Sequence, residues 1–297
     1  MEKLEYVSCD LCGFDSAKEI YPASLSVNLQ DSNFSVFGEL GQHHRIVRCL
    51  SCDLVFSNPR DTRKGLNQKY AELSVEEYLT AKKSRALTSA KDARLVQKYC
   101  QSGNLLDVGC STGIFLSQLP KSFKSTGVEL SKAACEKAQT NLPDASILNG
   151  AIDEIELGNS FFDAITMWDV IEHLPSPTKT LISLQQNLAP GGHIFIVTPN
   201  FRGLMSKFMQ RKWPHLIRGH IYYFDKKTIK KTLEKCGFEI VSISSYARNF
   251  RISYILKRLK LSKNTDFAGK LLKYLDVELR INLNDAMMIV AKKNIIK

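Results

Sequence analysis

From Asn104 onward the chain alternates two patterns. Short apolar runs, "NLLDVG" (104–109), "STGVEL" (125–130), "ASILNG" (145–150), "FDAITMW" (162–168) and "HIFIVT" (193–198), are separated by the helix-like stretches "SKAACEKAQTNL" and "SPTKTLISLQQNLAPGG". Ser131 and Ser176 are expected N-caps, and Gly191 with Gly192 an expected helix stop. Strands alternating with helices predict a parallel, doubly wound α/β sheet over residues 101–297. Later come a helix from about Lys226 to Cys236 closed by Gly237, a strand "FEIVSISSYA", and "DAMMIVAKK" to finish the sheet. Residues 61–100 are polar and helix-prone, with Leu87, Ala90, Leu95 and Val96 forming a weak stripe, which predicts a helical connector.

Two segments break the alternation. "FRGLMSKFMQRKWPHLIRGHIYYF" (201–224) mixes Met, aromatic and basic residues and is expected to be either a lid over a substrate or an excursion of the core. Residues 248–283 read as a basic helical insertion, with Leu256, Leu259 and Leu261 beside Arg251, Lys257, Arg258 and Lys260. That face could meet an anionic acceptor or a membrane surface, or remain solvated.

Composition narrows the setting. The 297 residues allow one full core plus a smaller module, and 44% hydrophobic residues is ordinary for a globular protein. No run approaches the ~20 apolar residues of a membrane span, and the N-terminus lacks a signal-peptide core, so a soluble, cytoplasmic protein is expected. Lys plus Arg at 41 against Asp plus Glu at 30 gives a net charge of +11, which favours anionic partners.

Of eight cysteines, Cys9, Cys12, Cys49 and Cys52 form two Cys-x-x-Cys pairs, in "SCDLCGF" and "RCLSCDLVF". Each pair can present two thiolates from a tight turn, and two such turns complete a tetrahedral site suited to a structural Zn2+ with no open position for catalysis. Residues 1–60 are therefore expected to be a zinc-binding module. The 36 intervening residues, 13–48, include His43 and His44.

The glycine turn after "NLLDV" lies where a doubly wound sheet binds its ligand. No lysine follows Gly113, so it is not a phosphate-binding P-loop, and the dinucleotide positions are Gly109, Ser111 and Ile114, which fits NAD poorly. Asp107 ahead of the turn points to a ligand with a positive charge. Glu129 stands 22 positions later, at the end of the second strand, where it can accept from both hydroxyls of a ribose. Acid, glycine turn and second acid together describe S-adenosylmethionine.

With "LLDVGCSTGIF", "GVELS", "FDAITMWDVIEHLPSP" and "LAPGGHIFIVTPN" in this order, residues 100–247 resemble a class I S-adenosylmethionine-dependent methyltransferase. The resemblance implies a Rossmann-like, mostly parallel seven-stranded sheet. It implies that Asp107, Gly109, Cys110, Ser111 and Gly113 lie around the amino-acid end of the cofactor and Glu129 with Leu130 at the ribose. Ala151 stands where relatives often carry an acidic residue near the adenine, so Ile152 and Asp153 are expected there, along with Trp168. Ser111 replaces a common glycine and requires backbone angles that are not glycine-specific. The cysteine pairs joined to this domain resemble the zinc-carrying methyltransferases of bacterial sugar and polysaccharide pathways.

"WDVIEHLPSP" resembles the acid-x-x-Glu-His of certain ubiquinone-pathway and small-RNA 2'-O-methyltransferases, where it helps bind a divalent metal; here the residues are Asp169, Glu172 and His173, with His220 as a further ligand. Under the favoured alternative, Glu172 and His173 cap the next helix and shape the cofactor pocket, without Mg2+. An acceptor hydroxyl needs its proton removed, and His220, then His173, then Tyr222 or Tyr223 are the candidate bases. O-methylation of a saccharide or nucleotide-linked sugar is the leading expectation. An RNA methyltransferase, a quinone-type O-methyltransferase and, least of all, a zinc-binding adaptor stand as alternatives.

Overall fold

The computed structural model describes residues 4–25, 41–72, 82–158, 161–251 and 277–294. In the N-terminal part, β1 (Leu4–Glu5) pairs with β5 (Arg60–Asp61), while β2 (Ala17–Tyr21), β3 (Ile46–Cys49) and β4 (Val55–Ser57) form an antiparallel sheet. Helices α1 (Arg63–Ala71) and α2 (Lys82–Tyr99) follow. The hydroxyl of Thr62 accepts from Gly65 N at 3.4 Å and starts α1. Helix α2 buries Ser84, Asp92, Ala93 and Val96, while Leu87 of the expected stripe is exposed. Asp92 tolerates burial because the Tyr246 hydroxyl donates to it at 2.7 Å.

The main sheet runs through β6 (Gly103–Val108), β7 (Phe123–Glu129), β8 (Ser146–Asn149), β9 (Phe162–Trp168) and β10 (Leu188–Pro199). Helices α3 (Lys132–Asn141) and α4 (Pro177–Gln186) make two of the crossovers. Beyond β10 come α5 (Leu204–Met209), β11 (Tyr222–Tyr223), α6 (Lys226–Lys235), β12 (Phe238–Ser245), β13 (Arg248–Arg251), β14 (Glu278–Ile281) and β15 (Ala286–Lys293). Strand order is β12-β15-β10-β9-β6-β7-β8, with β15 antiparallel to both neighbours and the other pairings parallel. This is the doubly wound sheet that the pattern predicted, in the seven-stranded, mostly parallel form that the resemblance implied. The order reverses between β6 and β9, so a crevice opens at the carboxyl ends of those strands. Leu105, Leu106, Ile194, Phe195 and Ile196 are fully buried because helices or the N-terminal module cover both faces. No helix among the described residues is long and apolar enough to cross a membrane.

The cysteine-bearing part does not stand apart from this core. One continuous buried cluster joins Cys9, Val47, Leu54 and Phe56 to Ile165, Ile196 and Ile289. Strand β11, from the segment expected to be a lid, pairs with β4 and completes the module's sheet. Residues 220–224 are buried, as are Trp213, Leu216 and Ile217, so the second half of that segment is core. The insertion expected to be helical over 248–283 begins and ends as a ribbon, β13 against β14, because Arg248 to Arg251 pair with Glu278 to Ile281. Its expected amphipathic face at Leu256, Lys257, Arg258, Leu259, Lys260 and Leu261 lies outside the described residues.

Helix starts follow their expected chemistry with one exchange. Ser131 caps α3 by accepting from Ala134 N, and Asp225 forms a capping box with Thr228 on α6. Ser176 makes no such cap; its hydroxyl donates instead to Asp10 at 2.6 Å, and Asp10 accepts from Thr178 N at 2.9 Å. The expected stop at Gly191 and Gly192 is displaced too: α4 ends at Gln186, and the glycines lie in a register shift of β10 between Leu188 and His193.

The module thus caps a helix of the main domain. Asp10→Ala is expected to destabilise the protein by about 1 kcal/mol, the usual cost of a lost N-cap, while Asp10→Asn keeps most of the stability. Thermal melting of both variants checks this; equal melting temperatures for Asp10→Ala and wild type would show that the cap contributes nothing.

Candidate functional site

At the switch point, Asp107 is 1% exposed and accepts a 2.7 Å hydrogen bond from Thr166 Oγ1 on β9, the residue paired with it in register. Burial pushes its carboxyl up to about 8, and the nearby Glu129 charge adds to the shift. The turn that follows has no room for side chains at two glycines. A Cβ on Gly109 (φ +75°) would stand 2.6 Å from Val170, and one on Gly113 (φ +77°) 2.6 Å from Leu142. Ser111 departs from expectation, since its φ of +49° lies in the left-handed region that glycine favours. Its N–H donates to Glu129 Oε2 at 2.8 Å, which holds the conformation in place.

Glu129 ends β7 and braces this turn. Its Oε1 accepts from Ser131 N at 2.8 Å, and burial raises its pKa. Each carboxylate oxygen retains a further lone pair for a ligand hydroxyl. Ser111 Oγ and Trp168 Nε1 are buried without hydrogen-bond partners. Both stand beside the crevice, with the Trp168 ring 4.9 Å from that of Phe115, and a polar ligand would satisfy them. Leu130 follows Glu129 at the same strand end and is half-buried. Cys110 turns its sulfur under the sheet, where a Cβ on Gly127 would meet it at 2.6 Å, so only its backbone faces the turn. Ile152 packs into the core from a short 3-10 turn. Asp153 is engaged by the Thr180 hydroxyl and lies 3.6 Å from Arg63, which gives its carboxylate a structural task.

On the other side of the crevice the chain brings together residues far apart in sequence. Glu172 is 1% exposed; its Oε2 accepts from Thr198 Oγ1 at 3.0 Å, and its Oε1 has no partner. Burial, then the charge of Asp169, pushes its carboxyl up to about 8. The His173 and His220 rings lie 4.6 Å apart. His173 Nδ1 sits 2.7 Å from Gly219 O and also meets the Tyr70 hydroxyl, and His220 Nδ1 sits 2.9 Å from His215 O. With Nδ1–H donating to a carbonyl, each ring keeps a lone pair on Nε2. Burial lowers His173 to about 4 and His220 well below its usual value, so both are neutral near pH 7. The ligating atoms of Glu172, His173 and His220 lie within 4.8 Å of one another.

Asp169 does not join that cluster. It has a φ of +57° and forms a bidentate pair with Arg248, at 2.5 and 2.6 Å, which holds its carboxyl low against the cost of burial. Tyr222 is also elsewhere: its hydroxyl lies 2.9 Å from Arg60 Nη1 and 3.3 Å from Pro175 O, and burial raises its pKa. Tyr223 donates to Ile217 O at 3.4 Å inside the core. Tyr222 does not lie among the paired imidazoles, and although the Tyr223 ring stands edge-on to that of His220 at 6.5 Å, its hydroxyl is directed to Ile217 O, because β11 turns both tyrosines into the module's packing. Sequence reasoning missed Tyr70, Thr166, Thr198, His215 and Arg248. Of these only His215 carried a signal, its spacing of five from His220.

The four module sulfurs converge as well. Cys9 Sγ lies 3.4 Å from Cys52 Sγ and Cys12 Sγ 3.5 Å from Cys49 Sγ, with all four within 4.8 Å of one another. Two turns present them, each closed by a residue at positive φ, Gly13 and Asp53. His43 and His44 stand apart, His44 pairing with Asp61 at 3.0 Å.

Residues 75–243 match the family model described as a methyltransferase domain. A ubiquinone biosynthesis O-methyltransferase of Azoarcus sp. (strain BH72) is 24% identical over 67% of this chain and 91% of its own length. The dTDP-3-amino-3,4,6-trideoxy-alpha-D-glucopyranose N,N-dimethyltransferase of Streptomyces venezuelae is 32% identical, but over only 41% of this chain and 53% of that protein. Among solved structures, a chain of the Haloferax volcanii complex between the Trm112 methyltransferase activator and a methyltransferase superposes with a TM-score of 0.57 at 14% identity, covering 79% of this chain and 100% of that one. The plantazolicin methyltransferase BpumL in complex with SAH gives 0.53 at 13% identity, covering 77% and 94%. At such identities the structural likeness concerns the fold.

Proposed function

This chain belongs to the methyltransferase domain family, the class I S-adenosylmethionine-dependent enzymes, and we propose that it methylates a hydroxyl of a small saccharide acceptor. The observation that carries the oxygen as nucleophile is the pair of neutral imidazoles 4.6 Å apart beside Glu172, His220 buried and His173 half-buried. The saccharide class rests on the cysteine module and on the Streptomyces venezuelae relative, whose name gives a nucleotide-linked sugar as its substrate.

S-adenosylmethionine is a substrate here, and its sulfonium supplies the electrophilic methyl group. Asp107 would face its positively charged end and Glu129 its ribose hydroxyls. The backbone of Gly109 to Gly113, the Ser111 hydroxyl and Trp168 would complete the contacts. For the transfer, His220 Nε2 takes the acceptor hydroxyl proton as the oxygen attacks the methyl carbon and the carbon–sulfur bond breaks. The electron pair stays on sulfur, giving S-adenosylhomocysteine, and the proton stays on the imidazole. His173 is positioned to share this task. Fixing both Nδ1 atoms on carbonyls spares the reaction a tautomer change.

A second reading has its own observation, the unpartnered Oε1 of buried Glu172. Glu172, His173 and His220 would together hold a divalent ion, which would acidify the acceptor hydroxyl. Two imidazoles and one carboxylate suit Mn2+ or a later transition metal better than Mg2+. Asp169 is not available for it while paired with Arg248.

For the cysteines we propose one structural Zn2+ per chain. Tetrahedral Zn–S bonds of about 2.3 Å put sulfurs about 3.8 Å apart. The observed 3.4 and 3.5 Å separations fit a cradle of that size. All four thiolates are used, so the ion would stabilise the module and leave no position for a reactant.

Three outcomes are expected. In the cofactor-free protein Asp107, at about 8, is protonated at neutral pH, whereas a cationic ligand favours the carboxylate. Binding therefore releases a proton, and affinity for S-adenosylmethionine should rise between pH 6 and 7.5 by up to about tenfold per unit. Asp107→Asn should bind weakly with no such slope; calorimetry giving a flat wild-type profile would contradict the assignment. Purified protein should hold close to one zinc by elemental analysis, and Cys49→Ser much less; unchanged zinc in that variant removes the site. With a sugar acceptor in hand, His220→Ala should lower kcat by roughly 100-fold or more at saturating cofactor. EDTA leaves the rate unchanged if the imidazole acts alone, and abolishes it, with recovery on Mn2+, if the second reading holds. Near wild-type turnover in both His220→Ala and His173→Ala would refute both readings.

A further inference from the structure

From Phe201 to Phe224 the chain carries Arg202, Lys207, Arg211, Lys212 and Arg218 and no acidic residue. Within this segment, α5 and the 3-10 turn after it (Gln210–Lys212) have an inverted arrangement. Met205, Ser206 and Met209 face inward, and the cluster of Trp213, Ile46, Val55 and Tyr223 takes up the two methionines. Leu204 and Phe208, spaced i and i+4 on the opposite face, are 65% and 86% exposed. Phe208 is the most exposed large hydrophobic side chain among the described residues. Single exposed apolar residues are ordinary, but an adjacent pair raised on a short helix and ringed by cations is not.

The ring is available for a partner. Lys207, Arg211 and Lys212 are exposed and form no ion pair among the described residues. Arg202, which leads into α5, is paired with Asp225 at 2.9 Å and borders a cleft of about 340 Å³ that Lys226 and Lys227 also line. The cationic surface thus continues from α5 to the start of α6.

We propose that this face docks on an anionic membrane surface, with Leu204 and Phe208 entering the boundary between headgroups and acyl chains and Lys207, Arg211 and Lys212 meeting lipid phosphates. Charge complementarity names the occupant, since the segment lacks any acid and the chain carries a net charge of +11. The apolar pair decides between polyanions: a nucleic acid would be served by the cations alone, whereas an aliphatic and an aromatic side chain held outward gain only by leaving water. The docking surface stands whether or not the acceptor is a saccharide.

The test is co-sedimentation of the full chain with vesicles of phosphatidylcholine alone and with about one third phosphatidylglycerol. Binding is expected to the mixed vesicles, at least about tenfold weaker to phosphatidylcholine, and weakened by high salt. Leu204→Ser with Phe208→Ser should lose at least about tenfold in vesicle binding with unchanged melting temperature and unchanged affinity for S-adenosylmethionine. Absence of wild-type binding to the mixed vesicles overturns the proposal, as does full binding by the double variant. Binding to total tRNA as tight as to the vesicles, and indifferent to the double substitution, would make the face a nucleic-acid surface. Sedimentation analysis showing a dimer that the double variant dissolves would make it an interface between copies; either result also overturns the proposal.

Discussion

The arrangement of the crevice depends on one short pairing, β11 against β4. Two residues, Tyr222 and Tyr223, hydrogen-bond to Phe56 and Val55 and so draw the chain out of the main domain and into the sheet of the cysteine module. The contacts around this pairing make it hard to dislodge. Arg60 bridges the Tyr222 hydroxyl at 2.9 Å and Pro175 O at 2.9 Å, and reaches Glu5 at 3.0 Å. Beside it Asp61, 1% exposed, gathers Arg218 at 2.6 Å, His44 at 3.0 Å and Lys69 at 3.6 Å. A carboxylate so buried would be costly alone, but the hydrogen bonds from His44 and Arg218 hold its pKa below the usual range despite burial. Stability from this carboxylate is present above its unfolded value and is lost only as pH falls through the lowered one.

Because β11 is anchored there, the residues just before it are fixed as well. Ile221 N donates to Glu172 O at 3.0 Å, and Gly219 O sits 2.7 Å from His173 Nδ1. A backbone segment set by the module therefore orients a histidine that follows β9, and brings His220 beside it. Asp10 reaches over to cap α4, which starts just after that histidine. The module acts as a clamp on the loop after β9, which explains why its hydrophobic residues share a cluster with the main sheet.

Two electrostatic regimes meet in the crevice. On one wall the acids Asp107 and Glu129 sit in low dielectric with raised pKa values, an arrangement that favours a cationic ligand. On the opposite wall burial keeps two imidazoles neutral, while Arg248 neutralises Asp169 directly. A positive ligand would stabilise the first wall, and under the proposed function the second wall supplies the proton acceptor. Both settings follow from exclusion of water, which makes each charge depend on its immediate partner.

The order of strands and helices from β6 to β10 was legible because each strand is an apolar run and the crossovers that hold α3 and α4 have helical spacing, whereas the β6–β7 and β8–β9 connections carry only short 3-10 turns; the position of Asp107, Gly109 and Glu129 near strand ends follows from the apolar runs. Convergence of the four cysteine sulfurs was legible for a similar reason, since each pair lies within one tight turn. What the sequence could not disclose is which distant groups would meet. Arg248 and Asp169 are 79 positions apart, His173 and Tyr70 are 103 apart, and Arg60 and Tyr222 are 162 apart. Periodicity reports only which face of an element is buried, not what lies across from it. Thus "YY" at 222–223 reads equally well as a site or as core, and only the edge of β4, with hydrogen-bonding groups left to satisfy, decided that these tyrosines complete a sheet while His220 ahead of them packs against His173.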